Sequence, residues 1–386
     1  MTTTKQRILT ALRGGMPDHL PWAPRWELWF DAVSRDGRLP EKYRGWHIFD
    51  VARDLGLGIK GNRAPLYRTE MTDVQVVVRE RRTPRGREEI TEYRTPKGDI
   101  GKVYFVPPEL EAQGVAGRVS EPVIKTVRDY DIACFVVEHT RIIPTYDELE
   151  TYTKLVGDDG LAFPNLGSCP MHRFMREFTT YEQSYYEMYD HPNEVDRLVQ
   201  VLEEQEWEIV RIALEAPIET AEIDGNYDAE LTPPPLYRKH FVPFLKRVAD
   251  AFHARGKLLM THVDGDNSGL LELIKETGFD IGEAWTPAPM TPVTTAEARR
   301  VWGGQISIWG GLPTTVLTAS FPEREFDRYF AQLLLEIAPG NGFVLGTGDN
   351  IPTDSSWERI NHITELVAEF GKLPVDVERL RALTEE

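Results

Sequence analysis

Two side chains that can bind a metal ion or move a proton, His262 and Asp264, follow a short apolar stretch of the sequence. Residues 258–261, Leu-Leu-Met-Thr, lead into His-Val-Asp-Gly, which is typical of a buried parallel strand whose C-terminal end opens into a site. Because one residue separates the two side chains, an extended backbone points both to the same side. The sequence therefore predicts a site at this strand end.

Acidic residues also follow other predicted strands. They are Glu222, Asp224, Glu283 and Asp349. Burying several acids at one spot requires a cation or strong pairing, so we predict a metal site formed by His262, Asp264 and Asp349, with Glu283 as a further ligand. One imidazole with two or three carboxylates suits a divalent ion, with zinc first and manganese or ferrous iron as alternatives.

Only a large fold can bring these residues together, and the pattern from about residue 125 onward predicts one. Helices alternate there with short apolar strands, which indicates a parallel sheet in an α/β fold. The number of units favours a closed (β/α)8 TIM barrel, and we expect a single domain over residues 1–386. The predicted strands are 161–165, 218–223, 257–262, 280–284, 305–309 and 343–346.

The N-terminal part of the chain has two further patterns. Residues 20–30 are dense in tryptophan and are predicted to form the first barrel strand. Residues 74–78, 89–93 and 102–106 alternate apolar and charged side chains between Pro- and Gly-containing turns. Such alternation predicts an antiparallel β-meander, which we place as an insertion into the barrel at residues 68–106.

Composition limits the classes of partner. The chain has 44 Lys and Arg against 62 Asp and Glu, a formal net charge of -18, which disfavours nucleic acid and anionic membranes as partners. Two cysteines are too few for a disulfide framework or a thiolate-rich metal site. Without an apolar signal core or a long apolar run, a cytoplasmic, soluble protein is expected. A homodimer is left open.

A small-molecule pocket is also predicted. Arg25, Trp26, Trp285 and Trp309 are candidate substrate-binding residues, because flat aromatic rings could form an apolar pocket wall beside a cationic group. For each tryptophan, packing in the core is an equally good interpretation. For Arg25, a charge pair with Glu27 is the alternative to substrate contact.

Several stretches together resemble the uroporphyrinogen decarboxylase superfamily. They are residues 5–9, 13–21, 237–256, 262–265, 346–352 and 357–360. The resemblance implies a (β/α)8 barrel and one of two activities. One branch of the superfamily decarboxylates uroporphyrinogen without a cofactor, and the other consists of zinc methyltransferases that exchange methyl groups with a corrinoid protein.

The motifs favour the methyltransferase branch. The decarboxylase signature Arg-Gln-Ala-Gly-Arg-Tyr is absent after Arg25, and Asp349 stands where that branch has a histidine. In the coenzyme M methyltransferases the zinc ligands resemble His-x-Cys and a later Cys, which correspond here to His262, Asp264 and Asp349. Carboxylates in place of thiolates leave the metal a stronger Lewis acid, suited to an oxygen or nitrogen leaving group.

The resulting hypothesis is methyl transfer from a small methylated substrate, such as an aromatic methyl ether, to a corrinoid-binding partner protein. The partner is needed because the chain lacks a corrinoid motif of the type Asp-x-His-x-x-Gly. Glu222 and Asp224 are the candidate catalytic residues, either close to the metal or as proton donors. The alternatives are a cofactor-free decarboxylase with Arg25 as its substrate grip, and a non-catalytic ligand-binding barrel.

Overall fold

A computed structural model describes residues 2–385, which divide into two compact units. Within them, unit 1 consists of the residues up to Ala64, Leu149–Asn165 and the residues from Pro217 onward. Unit 2 consists of Pro65–Glu148 and Leu166–Ala216. The single domain expected from the sequence stays a prediction.

The strands are distributed over both units. In chain order they are β1 (Ile59–Gly61), β2 (Tyr67–Met71), β3 (Gln75–Thr83), β4 (Gly86–Thr95), β5 (Gly98–Val106), β6 (Arg118–Glu121), β7 (Thr140–Pro144), β8 (Gly160–Ala162), β9 (Thr220–Gly225), β10 (Leu258–His262), β11 (Ile281–Trp285), β12 (Ser307–Pro313) and β13 (Phe343–Gly348).

The helices are given next in chain order. They are α1 (Thr4–Leu12), α2 (Glu27–Arg35), α3 (Ile48–Leu55), α4 (Pro108–Gln113), α5 (Val127–Glu138), α6 (Tyr146–Val156), α7 (Pro170–Arg173), α8 (Tyr181–Asp190), α9 (Pro192–Glu215), α10 (Pro234–His240), α11 (Val242–His253), α12 (Leu271–Glu276), α13 (Thr295–Trp302), α14 (Thr314–Leu317), α15 (Glu323–Ile337), α16 (Trp357–Phe370) and α17 (Val377–Glu385). A π-helical turn, Phe174–Phe178, continues α7.

Unit 1 contains a parallel sheet of five strands in the order β13-β12-β11-β10-β9, and β1 pairs in parallel with β8. Isolated parallel bridges join Trp22 to Leu345 in β13 and Asn165 to Glu222 in β9. Gly58, next to β1, donates its amide to the Trp22 carbonyl at 2.7 Å. Parallel strands alternating with helices confirm the predicted α/β class.

The core of unit 1 lies between α1 and the strands. Ile8 and Leu12 of α1 are buried in one apolar cluster with Leu161, Met260 and Val344, one residue each from β8, β10 and β13. The helix begins with a capping box in which Thr3 and Gln6 bond each other's backbone amides. This packing joins α1 to three of the parallel strands of unit 1.

Unit 2 contains a four-stranded antiparallel sheet, β3-β4-β5-β6, and a separate antiparallel pair, β2 with β7. The three alternating stretches predicted at 74–78, 89–93 and 102–106 correspond to β3, β4 and β5, except that β3 begins one residue later, at Gln75. All three strands are longer than the pattern indicated. The placement of this sheet as an insertion into a barrel stays a prediction.

Two predicted elements are wrong in part. Residues 20–30 make only one strand-like bridge, at Trp22, and α2 begins at Glu27. Trp29, Phe30 and Val33 are the buried face of this helix, with the spacing of an amphipathic helix, whereas tryptophan and phenylalanine also favour strands. The single helix predicted at 234–255 is divided at Phe241 into α10 and α11, because Pro243 has no amide to continue the ladder.

Among residues 2–385, no helix combines the length and the apolar character that crossing a lipid bilayer requires.

We predict that Gly225→Ala is strongly destabilising. Gly225 pairs in register with His262, its φ is +146°, and an added Cβ would lie 2.4 Å from the Cβ of His262. Gly256→Ala is the matched control, since φ is +67° there and nothing lies within 4 Å of the added atom. Urea unfolding should show a loss of about 1 kcal/mol for the control and at least about 2 kcal/mol more for Gly225→Ala. Equal losses would show that the two strands tolerate separation at this point.

Candidate functional site

The candidate site is built at the ends of neighbouring parallel strands of unit 1. His262 is the last residue of β10, and its register partner on β11 is Glu283. Glu222 on β9 is in register with Met260, so its side chain lies beside the same pair. Parallel strands place their C-terminal ends at one edge of a sheet, and this is what gathers side chains from distant parts of the chain.

His262 lies between carboxylates on both sides of its ring. Its Nδ1 is 2.5 Å from Oε2 of Glu283, and its Nε2 is 3.4 Å from Oδ2 of Asp264 and 3.6 Å from Oδ1 of Asp349. One nitrogen or oxygen atom from each of His262, Asp264 and Asp349 lies within 4.8 Å of the others. The structure thus brings together the three residues that the sequence selected as metal ligands.

A second group of potential ligands adjoins the first. Atoms of Glu222, His262 and Glu283 also lie within 4.8 Å of one another, and all three residues are buried. Glu222 accepts a hydrogen bond from Nδ2 of Asn165 on Oε1 at 2.5 Å. His262 belongs to both groups and connects them through its two ring nitrogens.

Neighbouring amides hold the two aspartates in place. Asn226 donates to both carboxylate oxygens of Asp264, at 3.0 and 2.8 Å. Asn350 donates to Oδ2 of Asp349 at 2.8 Å, and the hydroxyl of Thr347 donates to the Asp349 carbonyl at 2.7 Å. Both carboxylates are therefore oriented by the protein before any ligand arrives.

The backbone at the site adopts conformations that are costly for residues other than glycine. Asp349 has φ +106°, while Asp224, Asn226 and Ala284 have φ between +53° and +58°. Such residues cost about 1–3 kcal/mol each and cluster at functional sites. Their concentration at the ends of β9, β11 and β13 indicates that these backbone conformations are kept for function, although they lower the local stability of the fold.

Lys60 is a site residue that the sequence reasoning missed. Its ammonium forms an ion pair with Oε1 of Glu283, and only 2% of the Lys60 side chain and 1% of the Glu283 side chain are exposed. The ammonium also lies 5.9 Å from the centre of the Trp309 ring. The available signal was a lysine inside the apolar run Leu57-Gly58-Ile59-Lys60, since a lysine is rarely buried without a partner.

Arg25 reaches the site from the segment before α2. Its guanidinium forms an ion pair with Oδ1 of Asp349, the same oxygen that faces His262. The neighbouring acids raise the pKa of Arg25 despite its burial, with Asp349 contributing most. The sequence offered Glu27 as the alternative partner of Arg25. In the structure, the side-chain hydrogen bond of Arg25 goes to Asp349.

Burial and charge shift the buried groups in opposite directions. Burial lowers the pKa of His262, but Glu283 and Asp264 outweigh it and raise that pKa well above its usual value. Burial likewise opposes ionisation of Glu283, yet Lys60 and His262 hold the pKa of this carboxyl well below its usual range. For Glu222, burial raises the pKa to about 7, with Glu283 adding to the effect.

The remaining predicted site residues have other surroundings. Asp224 is buried at the end of β9 and belongs to neither candidate metal group of the described residues. Trp26 stacks on Trp29, Trp285 donates its indole N–H to Thr295, and Trp309 donates to the Ala23 carbonyl. These three tryptophans are buried and make core contacts, the alternative that the sequence left open. Their roles in substrate binding stay predictions.

The donor set fits a divalent cation. Glu283 binds Nδ1 of His262 and leaves Nε2 directed at Asp264 and Asp349, which is the arrangement in which a carboxylate orients a metal-binding histidine. One nitrogen and two oxygen donors suit zinc, manganese or ferrous iron. Because Arg25 shares Oδ1 of Asp349, a cation at this position would compete with the guanidinium.

One family of known proteins matches the sequence. The sequence model described as Uroporphyrinogen decarboxylase (URO-D) matches residues 173–370, just over half of the 386-residue chain. Among curated proteins, none matches the chain.

Solved structures show a related fold. A methyltransferase from Methanosarcina mazei is similar with a TM-score of 0.58 and 14% identity, covering 96% of this chain and 99% of that chain. A ribulose-1,5-bisphosphate carboxylase/oxygenase from Pyrococcus horikoshii OT3 covers 66% of this chain and 50% of that chain, with a TM-score of 0.30 and 10% identity. The second likeness is too weak to carry an argument, and the first concerns the fold alone.

We predict that Lys60→Met destabilises the protein by about 3–5 kcal/mol, because it leaves the Glu283 carboxylate buried without its cation. The double variant Lys60→Met, Glu283→Gln should recover part of this loss. Lys246→Met is the matched control, since its ion pair with Asp250 is exposed and should contribute below about 0.5 kcal/mol. Chemical unfolding of the four proteins measures these differences. A loss for Lys60→Met no larger than that of the control would contradict the assigned role.

Glu222 generates a pH-dependent prediction. Its pKa is about 7 against an ordinary 4.5, so the folded state binds this proton more tightly, and stability falls as pH rises between these values. In chelator-treated protein, Glu222→Gln should therefore gain stability relative to wild type between pH 5 and pH 8, by about 1–3 kcal/mol. Glu219→Gln, on a partly exposed residue, serves as the control. A Glu222→Gln difference that is flat across this range would refute the prediction.

Proposed function

Because the chain belongs to the uroporphyrinogen decarboxylase (URO-D) family, as its motifs suggested, we propose that it is a metal-dependent methyltransferase. It moves a methyl group from a small methylated substrate to a corrinoid-binding partner protein. The observation that carries this proposal is the convergence of His262, Asp264 and Asp349 at neighbouring strand ends. These three positions resemble those of the His-x-Cys and later Cys zinc ligands in the methyltransferase branch of the superfamily.

We also infer that the strands of unit 1 close into a (β/α)8 barrel. The supporting contacts are the bridges from Trp22 to β13 and from Asn165 to β9, the bond from Gly58 to Trp22, and the pairing of β1 with β8. Together with the five-stranded sheet, they connect eight segments in sequence around a ring. In such barrels the chemistry lies at the C-terminal strand ends, where the candidate site is.

The proposed metal ligands are Nε2 of His262 and the carboxylates of Asp264 and Asp349, with zinc as the first choice of ion. Glu283 fixes the imidazole through Nδ1, so we assign it an orienting role in preference to direct ligation. When bound, a divalent cation supplies Lewis acidity that stabilises negative charge developing on a departing oxygen. Asn226 and Asn350 keep the two aspartates oriented for this task.

Glu222 is the proposed proton donor. With a pKa near 7, it holds a proton in a substantial fraction of molecules at neutral pH, as a general acid must. Asn165 occupies Oε1, which leaves Oε2 to carry the proton. Asp224 is the second proposed catalytic residue, either as an alternative proton donor to the product or through a hydrogen bond beside the metal ligands.

The carboxylate ligands favour an oxygen leaving group, such as that of an aromatic methyl ether. In the proposed step, the bond between the oxygen and its methyl carbon breaks, and the methyl group passes to the cobalt(I) of the partner's corrinoid. The oxygen keeps the bonding electron pair and takes the proton of Glu222. The corrinoid comes from a partner because the chain has no Asp-x-His-x-x-Gly motif of its own.

A cofactor-free decarboxylase is the second candidate, and the observation in its favour is the presence of Arg25 at the site. Its guanidinium could grip a substrate carboxylate. However, Arg25 already pairs with Asp349, and several acids surround it, which makes the site poorly suited to a polyanionic substrate. Activity that persists after complete removal of metal would favour this candidate over methyl transfer.

We predict that Asp349→Asn, Asp264→Asn and His262→Ala each weaken metal binding by at least about tenfold, since each removes one donor of the set. Asp266→Asn is the matched control: Asp266 is nearby in sequence but accepts a bond from the Ser268 amide and belongs to neither metal group. Metal content after dialysis against a buffered chelator, followed by methyl transfer from methoxybenzenes to a corrinoid acceptor, measures both effects.

The proposal requires wild-type protein to lose activity with its metal and to regain it when zinc is restored. Full activity in metal-free wild type, or an unchanged metal content in Asp349→Asn, would overturn it.

A further inference from the structure

Unit 2 contains a cavity of about 280 Å³ that takes no part in the proposed chemistry. Its walls come from β2, β4, β5 and β7, and from α5, α7, α9 and the π-helical turn. A dry cavity of roughly 150 Å³ already accommodates benzene, so this one is large enough for a substituted ring. Part of the wall is aliphatic, with Ile100, Val123, Val137, Ile142 and Ile209 among its side chains.

The charged side chains that line the cavity balance one another. Arg173 forms an ion pair with Glu206, whose side chain is 2% exposed, and donates to Oε1 of Gln205 at 3.0 Å. It also pairs with Glu177 at 3.3 Å. Lys102 also lines the cavity, so the lining carries two cations, Arg173 and Lys102, and two acids, Glu177 and Glu206. Because these charges sum to zero, a charged ligand would bring an unbalanced charge into the site, which is unfavourable. The cavity is therefore suited to a neutral ligand.

Two tyrosines supply hydrogen-bond donors to the same cavity. Tyr67 and Tyr93 both line the cavity, and within residues 2–385 neither hydroxyl bonds a protein group. Burial raises the pKa of both, and Glu177 and Arg173 act on both. The hydroxyls are thus protonated at neutral pH and lie near the same two charged groups. Hydrogen-bonding groups beside apolar side chains are the usual composition of a small-molecule site.

We propose that the cavity of unit 2 binds a small, neutral ring compound that carries an oxygen acceptor, such as a ketone, an ester or an ether. The ring packs on the aliphatic walls, and the oxygen accepts hydrogen bonds from Tyr67 and Tyr93. The proposal uses none of the residues of the candidate metal site. Its success or failure is therefore independent of the methyltransferase function.

Acetophenone is a suitable probe, because it has a ring and one carbonyl acceptor and offers no methyl ether for transfer. Ethylbenzene has nearly the same shape without the acceptor. Titration of the full chain by calorimetry or ligand-observed NMR should show saturable binding of both, with acetophenone the tighter.

The variant Tyr67→Phe, Tyr93→Phe keeps the shape of the cavity and removes both hydroxyls. It should weaken acetophenone at least about fivefold and leave ethylbenzene unchanged. The matched control is Tyr186→Phe, Tyr189→Phe, on two tyrosines of α8 that are 62% and 86% exposed; it should alter neither affinity. Ile142→Phe, which fills part of the cavity, should weaken both compounds.

Three results would overturn the proposal. One is the absence of saturable acetophenone binding to wild type. Another is equal weakening of both compounds by Tyr67→Phe, Tyr93→Phe, with far-UV circular dichroism and unfolding confirming that the variant is folded. The third is loss of acetophenone binding in His262→Ala, which would place the compound at the candidate metal site. Retained binding in His262→Ala supports the cavity of unit 2.

Discussion

The buried Glu283 carboxylate is the interaction on which the candidate site depends. It lies between two cationic groups, the Lys60 ammonium and the His262 imidazole, with only 1% of its side chain exposed. Burying one carboxylate in this way is tolerable only because both neighbours compensate its charge. The same contact fixes the plane of the imidazole, and this decides which ring nitrogen faces Asp264 and Asp349.

Several charged groups of the site are paired with one another without any added ion. Lys60 and His262 both contact Glu283, His262 also faces Asp264, and Arg25 pairs with Asp349. Despite burial, Glu283 and Asp264 raise the pKa of His262 well above its usual value. A divalent cation would have to displace the proton of His262 and compete with Arg25. Its affinity should therefore be coupled to proton release, as expected for any site whose ligands bind protons in the absence of metal. Preassembly also limits the reorganisation that binding requires.

The sequence predicted the parts of the site that follow from strand geometry. His262, Asp264 and Asp349 could be selected because polar residues at the ends of parallel strands share one edge, however far apart they lie in the chain. Lys60 was not predicted as a site residue because β1 has only three residues, too few to show a periodic pattern. The strand predicted at 20–30 is wrong from Glu27 onward, because Trp29, Phe30 and Val33 have helical spacing although tryptophan and phenylalanine also favour strands. The residues that line the cavity of unit 2 come from eight separate elements, so no local sequence pattern predicts it.

The register of β10 against β11 has a consequence for how such a chain can vary. His262 and Glu283 face each other because Met260, Thr261 and His262 pair in order with Ile281, Gly282 and Glu283. Adding or deleting one residue within either strand would turn every later side chain to the opposite face of the sheet. Glu283 would then no longer face His262, even though neither residue had been replaced. We therefore expect length changes to be tolerated only outside these two strands, and recombination with distant homologues to succeed only at crossovers outside them.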